Sequence, residues 1–238
     1  GLGQSFARLL LARTDNPVIA LTHSSLDQVK HALLLRQEGA ESKLTVLEAD
    51  ITKEVELKRA AEWVKERYGR KMGMLCNFAG VLYPEKNIAS MELDKLQRTY
   101  EINTFGHALM FKHFLPLVPR ASRQEREEAE GPGEQGRSVL VSLSAKVGSI
   151  EDNRTGGWYS YRSSKAATNQ LVRTVAREVE MRNVWATVIA YHPGTVRTGL
   201  AAEFVQGKSG KGIHDAEKVC DTSRRDTYFL SPKKILGR

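Results

Sequence analysis

A chain of 238 residues, 41% of them hydrophobic, can bury one sizeable core, and one domain is the default expectation. The formal net charge of +8 is uneven: residues 206–238 hold eight Lys/Arg against four Asp/Glu, and with no zinc-finger, basic-zipper or RNA-recognition pattern beside them, a solvated tail is favoured over nucleic-acid binding. No run approaches the ~20 apolar residues that cross a bilayer, no cleavable leader opens the chain, and two cysteines, Cys76 and Cys220, allow neither a disulfide framework nor a metal site, so no membrane role is expected and a cytoplasmic, reducing setting fits.

In chain order, short β-branched runs alternate with longer segments of helical periodicity. Strands are expected over Pro17 to Thr22, Leu44 to Ala49, Met74 to Asn77, Ser138 to Leu143 and Ala186 to Tyr191. Helices are expected over Leu2 to Ala12, Leu26 to Glu38, Glu54 to Tyr68, Met91 to Leu117 and Tyr159 to Met181. The alternation predicts an α/β fold, a doubly wound parallel sheet (Rossmann-like) in a single domain over 1–205, with a ligand beyond the carboxyl ends of the strands. Two segments break the pattern. Arg120 to Arg137 is charged and lacks apolar periodicity, as an exposed insertion would be, and 206–238 reads as a polar basic tail, with disorder put ahead of a lid or a partner arm.

The chemistry-bearing motifs follow the same order. Gly1 and Gly3 stand before an apolar helix, as in a turn whose backbone N–H groups and helix dipole hold a pyrophosphate, although glycines before helices also serve as simple caps. Tyr161 and Lys165 lie one helical turn apart on one face, so a phenol and an ammonium can act together. The cation is expected to favour the phenolate and lower the tyrosine's pKa, which makes Tyr161 a proton donor. Ser144 ends the apolar strand Ser138 to Leu143, where its hydroxyl can meet a substrate oxygen while the tyrosine protonates it. Each feature taken alone is common; their combination is not. His107 and His113 do not align on their helix and are expected in the core or an interface, and Trp158 and Tyr159 as packing residues at a helix start.

These residues resemble the short-chain dehydrogenases/reductases, from Gly1 to about Phe204, and the stretch from Val147 to Leu171 looks especially like Sniffer-type carbonyl reductases and C-factor-like proteins. The resemblance implies a hydride transfer between a nicotinamide cofactor and a carbonyl or alcohol. It places Gly1 and Gly3 at the pyrophosphate, Asp50 and Ile51 at the adenine, and Asn77, Ala79 and Gly80 (of Asn77-Phe78-Ala79-Gly80) beside the cofactor. It further implies that Asn103 holds a proton-relay water, that Lys165 binds the nicotinamide ribose along with Tyr161, and that Pro193, Gly194, Val196 and Thr198 flank the nicotinamide. A homodimer or homotetramer built on the long helices is implied too.

Departures are as informative. The family's first strand and the first glycine of its turn are missing ahead of Gly1, which predicts a chain that extends upstream, with any targeting segment there left open. Ala145 stands where the catalytic serine is usual, so the role falls to Ser144, with Ser142 as fallback, seventeen positions before Tyr161. No acidic residue ends the strand Pro17 to Thr22, which stands as the second strand of a dinucleotide fold and runs out in Leu21-Thr22-His23-Ser24-Ser25, with His23 where relatives often carry Arg; NADP(H) is therefore expected in preference to NAD(H). The alternative function is a non-catalytic member of the family serving in signalling or assembly. The small-molecule substrate itself is not legible.

Overall fold

A computed structural model describes residues 1–120, 136–201 and 213–220, together with the backbone of 229–230. The chain forms two compact units, Gly1–Ala60 with Pro193–Thr227, and Ala61–His192 with Tyr228–Arg238.

In the first unit, helix α1 (Leu2–Arg13) is capped at Gly1 and followed by strand β1 (Val18–Thr22), helix α2 (Leu26–Leu34), strand β2 (Leu44–Glu48) and the start of helix α3 (Glu54–Tyr68). The strands pair in parallel from Val18 opposite Leu44 to Thr22 opposite Glu48, which requires the crossover that α2 supplies. Leu11, Val18, Leu33, Ala40 and Leu44 form one buried cluster, in which each enclosed leucine contributes roughly 2 kcal/mol. Lys43 Nζ donates to Leu11 O at 2.9 Å and Thr14 O at 2.8 Å, closing carbonyls that the end of α1 leaves unpaired, where a cation is also favoured by the helix dipole. α2 stops short of the expected Glu38: Leu33 is the last buried residue of its face, and the backbone turns left-handed at Arg36 (φ 62°) and Gly39 (φ 71°).

The same unit contains strand β6 (Thr195–Arg197), paired in parallel with β7 (Ile213–Asp215), and a short helix α7 (Ala216–Cys220) that packs on α1. Cys220 is buried there, its Sγ 3.8 Å from Leu2 O. Within the span read from composition as a polar basic tail, Ile213–Cys220 pairs with and packs against distant residues and carries no periodicity of its own. Gly194 has φ 75°, and a Cβ on it would stand 3.3 Å from the His214 ring, so both conformation and space require glycine. The insertion over 121–135 and the tail over 202–212, 221–228 and 231–238 lie outside the described residues.

The second unit is built on strands β3 (Met74–Asn77), β4 (Ser138–Leu143) and β5 (Ala186–Tyr191), parallel and in that order, with β8 (Phe229–Leu230) antiparallel on β5. Among the described residues, β1 has β2 as its one strand neighbour and β3 has β4. Met91 to Leu117, expected as one helix, is four successive pieces: α4 (Leu93–Tyr100), a π turn (Glu101–Phe105), α5 (Gly106–Phe114) and a 3-10 turn (Leu115–Leu117). The Gly106 N–H reaches back five residues to Glu101 O, and this extra residue rotates Asn103 into full burial, a distortion that periodicity does not reveal. Helix α6 (Tyr159–Met181) runs 23 residues, ~35 Å. Its lower half buries Val172, Val175 and Val179, and its upper half buries Tyr161, Ser164, Lys165 and Thr168 on the same stripe. One helix face thus serves as core at one end and as site at the other.

Candidate active site

The site of the second unit is organised by the first turn of α6. Three consecutive residues before it, Gly156, Gly157 and Trp158, take left-handed backbone angles of 62°, 68° and 53°. Glycine does so freely, whereas the tryptophan pays ~1 to 2 kcal/mol. Its N–H donates to Glu85 O at 2.7 Å, and its ring meets that of Tyr161 edge-on, centroids 6.3 Å apart. Arg162 Nε donates to the carbonyls of Gly156 and Gly157 at 3.2 and 3.0 Å. The Glu85 carboxylate accepts the Ser160 N–H and hydroxyl. The turn that launches Tyr161 is therefore clamped from outside the helix.

Tyr161 and Lys165 then lie on one buried face, with Lys165 Nζ 5.9 Å from the phenol ring centroid and 2.7 Å from Leu143 O at the end of β4. Gly148 packs so closely that a Cβ on it would come within 2.8 Å of the Lys165 backbone, which excludes any side chain there. From β3, Asn77 Oδ1 accepts the Ala79 N–H at 3.0 Å, bending the chain into the Ala79-Gly80 turn, while its buried Nδ2 has no partner among the described residues. Asn103 grips the same turn: Oδ1 accepts Val81 N–H at 2.8 Å, and Nδ2 donates to Val81 O at 2.9 Å and to Ser164 Oγ at 3.1 Å. A Cβ on Gly80 would stand 3.4 Å from Asn103 Oδ1 and 3.7 Å from Lys165 Nζ, so the glycine keeps the space beside the ammonium open.

Both candidate serines are engaged. The Ser144 hydroxyl donates to Asn169 Oδ1 at 2.5 Å, and Ser142 Oγ lies 3.0 Å from His107 Nδ1. Because His107 Nε2 faces the Ala79 carbonyl at 3.1 Å, a pure acceptor, the proton sits on Nε2 and Nδ1 accepts from Ser142. Burial pushes His107 down to about 3, with Lys165 adding to the effect, so the ring is a neutral core group, as expected of it. The expected lowering of the tyrosine's pKa is not what the site produces: burial pushes Tyr161 up to about 12 and Lys165 down to about 7. Desolvation of each group is the cause, and the phenol is held protonated.

The remaining candidates belong to the first unit. Gly1 caps α1 and Gly3 sits in its first turn, which contains no acidic residue. His23 is exposed just past β1, followed by Ser24, whose N–H donates to Thr22 Oγ1 at 3.0 Å. Asp50 Oδ1 accepts the N–H and hydroxyl of Thr52 at 2.9 and 2.8 Å, setting the turn that carries half-buried Ile51 into α3. Pro193 and Gly194 lead into β6, which buries Val196, and Thr198 Oγ1 donates to Val196 O at 3.4 Å. Glu85, Asn169 and Arg162 escape sequence reasoning: Glu85 falls in no motif, Arg162 and Asn169 stand within the Val147 to Leu171 stretch with no role assigned, and the roles of all three depend on partners that local spacing does not show.

The pattern of the short chain dehydrogenases matches residues 1–209. The chain belongs to that family. It is an oxidoreductase of the hydride-transferring, Rossmann-like kind, and its similarity to known proteins agrees. It is 30% identical over 204 residues to 1-hydroxy-2-glutathionyl-2-methyl-3-butene dehydrogenase of a Rhodococcus species, covering 86% of this chain and 77% of that one. It is 26% identical to the NADPH-bound carbonyl reductase from chicken fatty liver, with a TM-score of 0.75 over 92% of this chain and 83% of the other. At 22% identity, the carbonyl reductase Sniffer of D. melanogaster shares the fold, with a TM-score of 0.77 over 98% and 89% of the two chains.

This dehydrogenase should become more stable as pH rises through two windows. His107 binds protons in the unfolded chain below its ordinary 6.5 but in the folded chain only below about 3, so stability is lost on acidification across that range. Lys165 holds its proton to 10.5 unfolded but to about 7 folded, so stability grows between those values. Denaturant unfolding is expected to show slopes of up to ~1.4 kcal/mol per pH unit in each window, and His107→Gln is expected to flatten the acid one alone. An unchanged acid slope in that variant removes His107 as its source.

Proposed function

We propose that this dehydrogenase uses NADP(H) to reduce a carbonyl substrate, and that Tyr161, Ser144, Lys165 and Asn103 form its catalytic set. The observation that carries the proposal is the buried Tyr161–Lys165 pair on α6, with Lys165 bonded to the end of β4 and Gly80 clearing the space before its ammonium. That cleared space and the unmade bond of Asn77 Nδ2 fit the nicotinamide ribose end of a dinucleotide, to be held by Lys165, Tyr161, Asn77, Ala79 and Gly80. By resemblance to the family, Gly1, Gly3, His23, Asp50, Ile51, Pro193, Gly194, Val196 and Thr198 are assigned as the cofactor-binding residues of the first unit. The cofactor supplies the hydride. Tyr161, kept protonated by burial, donates its proton to the substrate oxygen; Ser144 turns its hydroxyl from Asn169 to orient that oxygen. Asn103, whose side chain is engaged with the Val81 turn, is assigned the proton-relay water, held through its backbone carbonyl, which also accepts the Thr168 hydroxyl.

Tyr161→Phe is expected to lower turnover of an aromatic aldehyde, ketone or quinone panel by at least ~10²-fold while NADPH binding survives. Lys165→Ala should lose both turnover and cofactor affinity. Near-normal turnover in Tyr161→Phe places the chemistry elsewhere.

For the cofactor, the exposed His23-Ser24-Ser25 run and the absence of a carboxylate at the end of β1 support the phosphorylated form, as does the likeness to an NADPH-bound carbonyl reductase. NADPH is expected to bind more tightly than NADH in a fluorescence titration, and His23→Asp to shift preference toward NADH; equal or tighter NADH binding by the unaltered chain overturns the assignment.

The second alternative, a non-catalytic member, has one observation in its favour: both serines are engaged and Ala145 follows them. Absence of NADPH oxidation across the whole panel would establish it. A homodimer or homotetramer is supported by the exposed Leu93, Phe105 and Met181 on α4, the π turn and α6. Light scattering is expected to give at least twice the 26.6 kDa chain mass, reduced by Phe105→Glu; a monomer mass for the unaltered chain excludes it.

A further inference from the structure

We infer that Glu85 is a positioning residue for Tyr161, acting across a sequence separation of 75 residues to hold the turn from which the phenol projects. The inference rests on Tyr161 being the proton donor. Three contacts carry it. The Glu85 carboxylate, 5% exposed, accepts the Ser160 N–H at 3.4 and 3.3 Å and also the Ser160 hydroxyl. Its own carbonyl accepts the Trp158 N–H at 2.7 Å. That carbonyl also lies where a Cβ on Gly157 would come within 3.3 Å, so the turn is moulded to it. Residues 157, 158 and 160 are all fixed by Glu85, and Tyr161 is the next in line.

Within the helix Arg162 binds the Gly156 and Gly157 carbonyls, but the acceptors for the Trp158 and Ser160 N–H groups come from Glu85. The N-cap of α6 is Trp158, which offers no capping side chain, and the first turn of the helix contains no acidic residue. A helix start ordinarily draws its acceptor from a Ser, Thr, Asp or Asn at the cap and is favoured by a negative charge there. Here both are supplied by Glu85, from the segment that follows the Ala79-Gly80 turn. Trp158 follows the left-handed Gly156 and Gly157 in that conformation, which a residue other than glycine keeps only where its surroundings hold it. Releasing the clamp would let the first turn fray and the phenol swing. A general acid tolerates little such error, because misplacement by ~1 Å can cost ~10²-fold in rate.

The test compares kcat, KM and NADPH affinity for the intact chain with those of Glu85→Ala, Glu85→Gln, Ser160→Ala and the pair Tyr161→Phe/Glu85→Ala. Glu85→Ala is expected to lower kcat by about tenfold or more with KM and NADPH affinity within about threefold, since only the donor is displaced. Glu85→Gln retains an acceptor oxygen and is expected to recover most of that loss. In the double variant no further loss is expected beyond Tyr161→Phe alone, because both changes disable one group. A kcat within about twofold of normal in Glu85→Ala, or losses that multiply in the double variant, overturns the inference. If Glu85→Ala does not fold, Ser160→Ala, which removes only the hydroxyl donor, must lower kcat measurably, and an unchanged kcat counts against the inference. Hydrogen exchange over 156–162 separates the two levels: faster exchange in Glu85→Ala, or in Ser160→Ala should Glu85→Ala not fold, supports the clamp even if Tyr161→Phe stays active and the donor assignment fails, and unchanged exchange removes the clamp.

Discussion

Burial of the Lys165 ammonium is the constraint to which the second unit is fitted. A charge taken out of water demands hydrogen-bond partners and close packing, and the chain provides the Leu143 carbonyl at 2.7 Å, the tight approach of Gly148 and the turn at Gly80. Each partner comes from the end of a different strand or loop, so satisfying one amine draws the carboxyl ends of β3 and β4 onto the start of α6. The same burial brings Lys165 to about 7, near the neutral range in which a proton can leave or return, and keeps the neighbouring phenol protonated.

Around this amine lies a fully paired polar layer. Asn103 binds Val81 and Ser164, Thr168 bonds the Asn103 carbonyl, and Thr104 bonds the Ser164 carbonyl at 3.0 Å. His107 ties Ala79 to Ser142. Buried polar groups are costly unless every donor and acceptor is met, and a layer that meets them rigidly specifies one arrangement. The exception is Asn77 Nδ2, a buried donor left open at the place proposed for the cofactor. A framework complete except where a ligand is to bind is what a preorganised site requires.

The π turn and the left-handed Trp158 show where regular structure yields to that requirement. Both distort a helix beside Tyr161 or Asn103, and both are secured by bonds from remote residues, Val81 in one case and Glu85 in the other. Their cost is met by the well-formed ends of the same helices, notably Val172, Val175 and Val179 of α6.

The sequence by itself determined the alternation of strands and helices, because β-branched runs and 3.6-residue apolar spacing are local properties; β3, β4, β5, α3 and α6 fall on their expected bounds. It also determined the Tyr161–Lys165 pairing, since a separation of four residues on a helix places two side chains together wherever the helix lies. Only the tertiary structure decided the sign of the tyrosine's pKa shift, because desolvation is set by what covers the helix and not by the nearest charge. The partners of Ser144 and Ser142, the grip of Asn103 on Val81, the contact of Glu85 with Ser160 and the pairing of Ile213–Asp215 with Thr195–Arg197 were decided there as well. Each joins residues from 14 or more positions away in the chain, a separation over which no local periodicity or motif carries information, so the contacts exist only once burial has selected the fold.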